Sequence, residues 1–170
     1  MYQSTVKIQG FTIIELMVTL AIAAILVSLA APSFKDIIQN NRMTTQYNEL
    51  LASLSVARSE AIKRGEDVIA LSSNGNNWED GWTVFVDTDG DGAPSAAETI
   101  RVGATLSGNN TLRFPRDRIT YASSGLGSGL ITGTFTLCDD RGNAEARGLV
   151  VSATGRVRHA IAADALAGCP

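Results

Sequence analysis

The chain has 170 residues, 45% of them hydrophobic and 18% charged, which fits one domain of ordinary size with an appendage and excludes a disordered tail or a multidomain enzyme. Taken as an average, a formal charge of -3 is not the signature of a nucleic-acid binder. The charge is unevenly spread, however: residues 60–100 carry nine carboxylates against Lys63 and Arg64, whereas residues 101–158 carry eight arginines against four carboxylates, predicting one acidic and one basic region.

Residues 1–10, MYQSTVKIQG, form a short polar leader whose only charged side chain is Lys7. Residues 11–31 then form an apolar run whose single charge is Glu15. At 1.5 Å per residue this run makes about 31 Å of helix, enough to cross a bilayer's hydrocarbon core. A secretory signal places its apolar stretch before the cleavage point, and here the order is reversed. A carboxylate inside a span costs about 2.5–3.5 kcal/mol at the bilayer centre, so Glu15 needs a partner or a function. Gly10-Phe11-Thr12-Ile13-Ile14-Glu15 resembles the class III signal of type IV pilins and type II secretion pseudopilins. That resemblance implies cutting after Gly10 by the prepilin peptidase, methylation of Phe11, and pairing of Glu15 with a neighbouring subunit's amine during assembly. It also implies a single-pass inner-membrane protein of a Gram-negative bacterium that moves into a pilus reaching the periplasm and cell surface. Pro32 stands where pilins commonly carry a helix-disrupting proline; it removes a backbone donor and crowds the preceding turn, which predicts a kink or a locally melted segment.

Beyond Pro32 the apolar residues Phe34, Ile37, Ile38, Tyr47, Leu50, Leu51, Leu54, Ala57, Ala61 and Ile62 recur at helical spacing, predicting an amphipathic half over residues 32–64. Lys63 and Arg64 suit the negative end of the helix dipole, and Gly65 is a natural cap. Over residues 65–170 the period changes to two. Short strands are predicted at 68–71, 82–86, 99–102, 111–114, 119–121, 134–137, 149–151 and 156–161, with residues 123–133 (SSGLGSGLITG) as a flexible loop without chemistry. The fold class is α+β: a long N-terminal helix packed on antiparallel sheets. Trp78 and Trp82 read as core or turn-packing aromatics. Gly81-Trp82-Thr83-Val84-Phe85-Val86-Asp87, followed by an acidic turn and Glu98-Thr99-Ile100-Arg101, resembles the FimT, FimU and GspH branch of minor pilins and pseudopilins. This resemblance implies the type IV pilin fold.

Four groups of residues bear on function. Cys138 and Cys169 have neither C-x-x-C spacing nor a histidine cluster, which argues against zinc; in an oxidising compartment a disulfide closing about 32 residues would contribute about 3–4 kcal/mol in the chain-entropy model, with two buried thiols as the alternative. Asp87, Asp89, Asp91 and Glu98 satisfy the spacing of a calcium loop, but strand-like runs flank them, so an acidic hairpin turn competes with calcium and no metal is assigned. Arg156 and Arg158, placed on one strand, would point to one side about 6.6 Å apart, near the spacing of successive phosphates; arginines alternating on a soluble edge are the other reading. FimT-type pilins of natural transformation carry a C-terminal Gly-Arg-x-Arg motif linked to DNA binding, and Gly155, Arg156 and Arg158 match it. By that resemblance the partner is double-stranded DNA, contacted at its backbone without a base code, with Arg141 and Arg147 extending the face and Arg113, Arg116 and Arg118 as further candidates. His159 is read as an adjunct to this patch or a plain surface residue. No Ser/His/Asp set, carboxylate dyad or nucleotide loop is present, so neither catalysis nor a cofactor is predicted. The alternative is a structural subunit like FimU or GspH that contacts other pilins at a tip or in assembly initiation.

Overall fold

The computed structural model describes residues 10–161 together with Asp164, Gly168 and Cys169; of Pro32 only the backbone is described, and nearly all of the predicted leader lies outside these residues. One helix, α1 (Ile13–Arg64), opens the chain, and the residues fall into two units that divide after Ile38. Thr12 caps α1: its Oγ1 accepts the Glu15 backbone N–H at 3.2 Å and its carbonyl accepts that of Leu16 at 3.1 Å. Helical backbone continues without interruption through position 32, in place of the melted segment that Pro32 allowed.

In the first unit the apolar side chains face outward all round the helix, from Phe11 and Ile13 to Leu29, Phe34, Ile37 and Ile38, each more than half exposed. The helix is long and apolar enough to cross a membrane, and none of its apolar window is buried inside the protein, unlike the core helix of a soluble domain. Phe34, Ile37 and Ile38 therefore lie outside the packed face, although their spacing matches it.

In the second unit Met43, Tyr47, Leu50, Leu54, Ala57 and Ala61 form one buried stripe at steps of three and four. It packs on two antiparallel sheets. The first has the order β3-β2-β1-β5-β6, built from β1 (Val68–Ser72), β2 (Trp82–Val86), β3 (Thr99–Gly103), β5 (Arg118–Tyr121) and β6 (Gly127–Ser128). The second has the order β4-β7-β8-β9, from β4 (Thr111–Arg113), β7 (Gly133–Cys138), β8 (Arg147–Val151) and β9 (Val157–His159). Val68, Val84, Ile119 and Tyr121 from one sheet and Leu112, Phe135, Leu137 and Leu149 from the other share a single core with the helical stripe. Trp78 and Trp82 are fully buried; the Trp78 ring stands edge-on to Phe135 at 4.9 Å and its Nε1 donates to the Arg116 carbonyl at 2.8 Å. Gly103 leaves room for the Trp82 ring, since a Cβ there would lie 2.1 Å from it.

Polar contacts fix the register of α1 on the sheets. Asn110 Nδ2 donates to Gln46 Oε1 at 2.6 Å, and Gln46 Nε2 donates to the Ser107 carbonyl at 3.0 Å. Gly65, at φ +70°, ends the helix and its N–H donates to the Ala61 carbonyl at 3.0 Å. The Gly/Ser segment departs from the expected flexible loop: a turn closed by Gly125 N–H on the Ala122 carbonyl, 2.7 Å, reverses the chain so that Gly127–Ser128 pairs with β5. Strand identity there comes from the turn and the neighbouring edge, without alternating side chains.

Candidate functional site

The turn between β8 and β9 positions the first arginine of the motif. Gly155 sits at φ +73° and its N–H donates to the Ser152 carbonyl at 2.9 Å, while Ser152 N–H donates to the Arg156 carbonyl at 3.0 Å. A Cβ at Gly155 would lie 2.8 Å from the Gly125 carbonyl oxygen and 3.0 Å from the Tyr121 ring, so both conformation and space demand glycine here. Arg156 consequently belongs to the turn and not to β9, which begins at Val157. The two arginines are exposed, but they do not form the two-residue repeat of one strand. Arg156 makes no side-chain hydrogen bond or ion pair among the described residues.

Arg158 is engaged differently. Its Nη1 and Nη2 donate to the two carboxylate oxygens of Asp164 at 2.7 and 2.8 Å, a fork-on-fork pair. Asp164 also accepts the Ile161 N–H at 2.7 Å. The guanidinium, followed by that N–H, holds the Asp164 carboxyl down at about 2. An anion seeking the same two-pronged face of Arg158 must exchange with this carboxylate.

The remaining arginines serve separate places. Arg141 grips Asp139 through Nε at 3.0 Å and reaches Asn40 Oδ1 with Nη2 at 3.0 Å, and its hydrogen bond keeps the buried Asp139 carboxyl below its usual range. Arg113 pairs with Glu79 at 2.8 Å, Arg118 with Asp117 at 3.3 Å, and Arg116 donates to the Thr132 carbonyl. Arg147 donates to Thr44 Oγ1 at 2.7 Å on the wall of a groove of about 480 Å³ that it shares with Tyr47, His159 and Asp164. His159 is therefore more than a surface residue: its ring stacks on Tyr47 at 5.1 Å, and Nδ1 and the Tyr47 hydroxyl lie 2.7 Å apart in a hydrogen bond that ties β9 to α1. Burial pushes the Tyr47 hydroxyl up to about 12 against the pull of Arg147.

The acidic turn after β2 brings carboxylate oxygens of Asp87, Asp89 and Asp91 within 4.8 Å of one another, whereas Glu98 is engaged by Ser95 and by loop N–H groups. Its carboxylate accepts the Ser95 hydroxyl at 2.6 Å and the Thr88 N–H at 2.9 Å, contacts that lower its pKa. The three aspartates likewise accept N–H groups of their own loop, at Gly92, Asp91 and Ala93. These bonds turn the carboxylates onto the backbone of their own loop. Cys138 and Cys169 are joined in a disulfide with Cα atoms 5.7 Å apart, and the Cys169 N–H donates to Asn143 Oδ1 at 2.6 Å. At the other end, Gly10 and Phe11 precede the helix and are exposed, and the Glu15 side chain has no partner among the described residues.

Residues 46–155 match the family described as type II transport protein GspH, and residues 6–31 match the prokaryotic N-terminal methylation motif. Two fimbrial proteins of Pseudomonas aeruginosa are each 31% identical to the chain over 98 residues, which is 58% of this chain and 64% of theirs; the matched length is thus less than two thirds of those relatives. Two crystal structures of the Pseudomonas aeruginosa type IV minor pilin FimU share the fold. One has a TM-score of 0.63 and 21% identity over 78% of this chain and 98% of that chain, and the other 0.60 and 20% over 75% and 99%.

Proposed function

Starting from the premise that the chain belongs to the GspH family, we propose that it is a minor type IV pilin that captures extracellular double-stranded DNA through its Gly155-Arg156-x-Arg158 turn for uptake in natural transformation. Members of this pilin and pseudopilin family are structural proteins, so the chemistry required of it is binding and assembly, without turnover. The observation that carries the DNA reading is Arg156: an exposed guanidinium, held at a glycine turn that tolerates no side chain, with no internal partner among the described residues. Its charge and fork of donors suit a backbone phosphate, with no base read. Arg158 adds a second contact once Asp164 yields it. Arg147 and Arg141 lie in other surroundings and add to the field more than to the contact, Arg141 least because of Asp139.

The N-terminal region supplies delivery. Cutting after Gly10 by the prepilin peptidase leaves Phe11 as a new, methylated N-terminus two residues before α1, and the apolar span holds the protein in the inner membrane until it joins other pilins. Glu15, without an internal partner among the described residues, is available to a neighbouring subunit's amine, which would remove the cost of a carboxylate in an apolar environment. A few arginines per subunit make weak contacts, so capture in a filament draws on several copies.

A second reading, a structural subunit of a tip or initiation complex that binds no DNA, is favoured by one observation: Arg113, Arg118, Arg141 and Arg158, half of the arginines of the basic region, are already ion-paired internally. Titration of the full chain in detergent against a labelled duplex, at low and at moderate salt, separates the two. The DNA reading expects salt-sensitive binding that an Arg156→Ala/Arg158→Ala double variant loses. Absence of binding at low salt and high protein concentration leaves the structural subunit.

A further inference from the structure

The partner-free Arg156 does not face solvent alone. Together with Arg58 of α1 it lines a groove of about 350 Å³ between the helix and the β8–β9 turn, with Ser55, Ser59, Ile62 and Val157 among the walls and, among the described residues, no carboxylate in the lining. Arg58 is held there by one atom: its Nε donates to the Gly125 carbonyl at 2.8 Å, and its Nη groups make no bond among the described residues. The same Gly125 carbonyl abuts Gly155 so closely that a Cβ would stand 2.8 Å from it. One backbone oxygen thus sets the position of the helix arginine and of the turn that carries the second.

Two guanidinium groups beside one groove repel each other unless an anion lies between them. The helix carboxylate nearest to Arg58 in sequence, Glu60, does not serve, because it is paired with Arg64 at 2.7 Å and Lys63 at 3.3 Å. The serines do not compete for the anion either: the Ser55 hydroxyl donates to the Leu51 carbonyl at 2.7 Å and that of Ser59 to the Val56 carbonyl at 3.0 Å. The free donors of the groove are therefore the arginines, while Ile62 and Val157 offer apolar surface beside them. A phosphodiester presents this combination, a charged group with two unshared oxygens flanked by apolar sugar carbons.

We propose that Arg58 is a further contact residue for DNA, clamping one backbone phosphate jointly with Arg156 in the groove between α1 and the β8–β9 turn. The inference rests on the DNA reading above. It moves the centre of the binding face from a strand edge to the junction of helix and turn, and it makes Arg58 and Arg156 partners where Arg158 stays with Asp164.

The test is a titration of the full chain in detergent with a fluorescein-labelled duplex from 50 to 200 mM salt, comparing wild type with Arg58→Gln, Ser59→Glu, Ser59→Gln and Arg156→Ala. Arg58→Gln also removes the bond to Gly125, so Ser59→Glu provides an independent probe that places a carboxylate in the groove and leaves that bond intact. Arg58→Gln and Arg156→Ala are each expected to reduce the slope of log K against log salt by about 0.9, the loss of one phosphate. Ser59→Glu is expected to weaken binding at 50 mM salt by at least about 3-fold, and Ser59→Gln to bind as wild type does. Loss of binding in Arg156→Ala with Arg58→Gln and Ser59→Glu both unchanged overturns the clamp and leaves DNA capture standing. A wild-type chain that binds no duplex at 50 mM salt overturns both.

Discussion

The pairing of Arg158 with Asp164 sets a barrier to anion binding that one substitution removes. Each Nη donates to one carboxylate oxygen, at 2.7 and 2.8 Å, so a phosphate gains that two-pronged face of Arg158 only by displacing a charge of its own sign. In Asp164→Asn the amide still offers one acceptor but no charge, and Arg158 becomes free for a phosphate. One added contact steepens the dependence of log K on log salt by about 0.9, so affinity at 50 mM salt should gain about 3-fold over its gain at 200 mM. Fluorescence anisotropy with a labelled duplex and the full chain in detergent reads both quantities. Acidity is the companion perturbation. Because Asp164 is depressed to about 2, its pair with Arg158 is complete above the ordinary carboxyl range and is lost only as pH falls through about 2. Lowering pH from 7 to 4 should therefore not mimic the substitution at this contact. An Asp164→Asn chain with unchanged affinity and slope, in a protein whose wild type binds DNA, would refute the displacement argument.

Three further outcomes follow from the geometry. Gly155→Ala forces a side chain into a positive-φ position against a backbone carbonyl, and should destabilise the fold by at least about 1–2 kcal/mol, read from the midpoint of urea unfolding. Replacing Cys138 and Cys169 by serine opens a crosslink across 31 positions; a loss of about 3–4 kcal/mol is expected, and a loss below about 1 kcal/mol would show that the loop-entropy account does not apply to this tail. Mass spectrometry of the protein extracted from cells with active peptidase should find ten residues missing and Phe11 N-methylated, whereas an intact leader would contradict the processing scheme.

What could be read before folding, and what could not, divides along the range of the interactions. The leader and apolar run are legible because cleavage glycine, aromatic, carboxylate and span length coincide within about twenty residues of chain. The helical stripe is legible in its period, but the same period includes Phe34, Ile37 and Ile38, which remain exposed: spacing reports an apolar face and not the surface that covers it. Gly127–Ser128 escaped a strand reading because glycine and serine carry no alternation, and its pairing is set by the turn at Gly125. Arg156 lies in the turn because Gly155 adopts φ +73°, a backbone state that a run of Arg-Val-Arg does not announce. Arg58 had no sequence signal beyond a polar position beside buried Ala57; only the approach of Gly125 and Gly155 turns it toward Arg156. By contrast, the engagement of Arg141 by Asp139 is two residues long and could have been anticipated from the Asp-Asp-Arg-Gly turn.

The bond from Arg141 to Asn40 has a mechanical consequence. Asn40 is among the first residues of the second unit, and Arg141 holds it at 3.0 Å while gripping Asp139, the residue next to disulfide-bonded Cys138. Tension drawn along α1 would thus enter the sheets near a covalent crosslink. Because the helical stripe from Met43 to Ala61 lies flat against the core, that tension would pull many contacts in shear at once instead of peeling them singly. A protein arranged in this way resists traction through the number of contacts that must fail together.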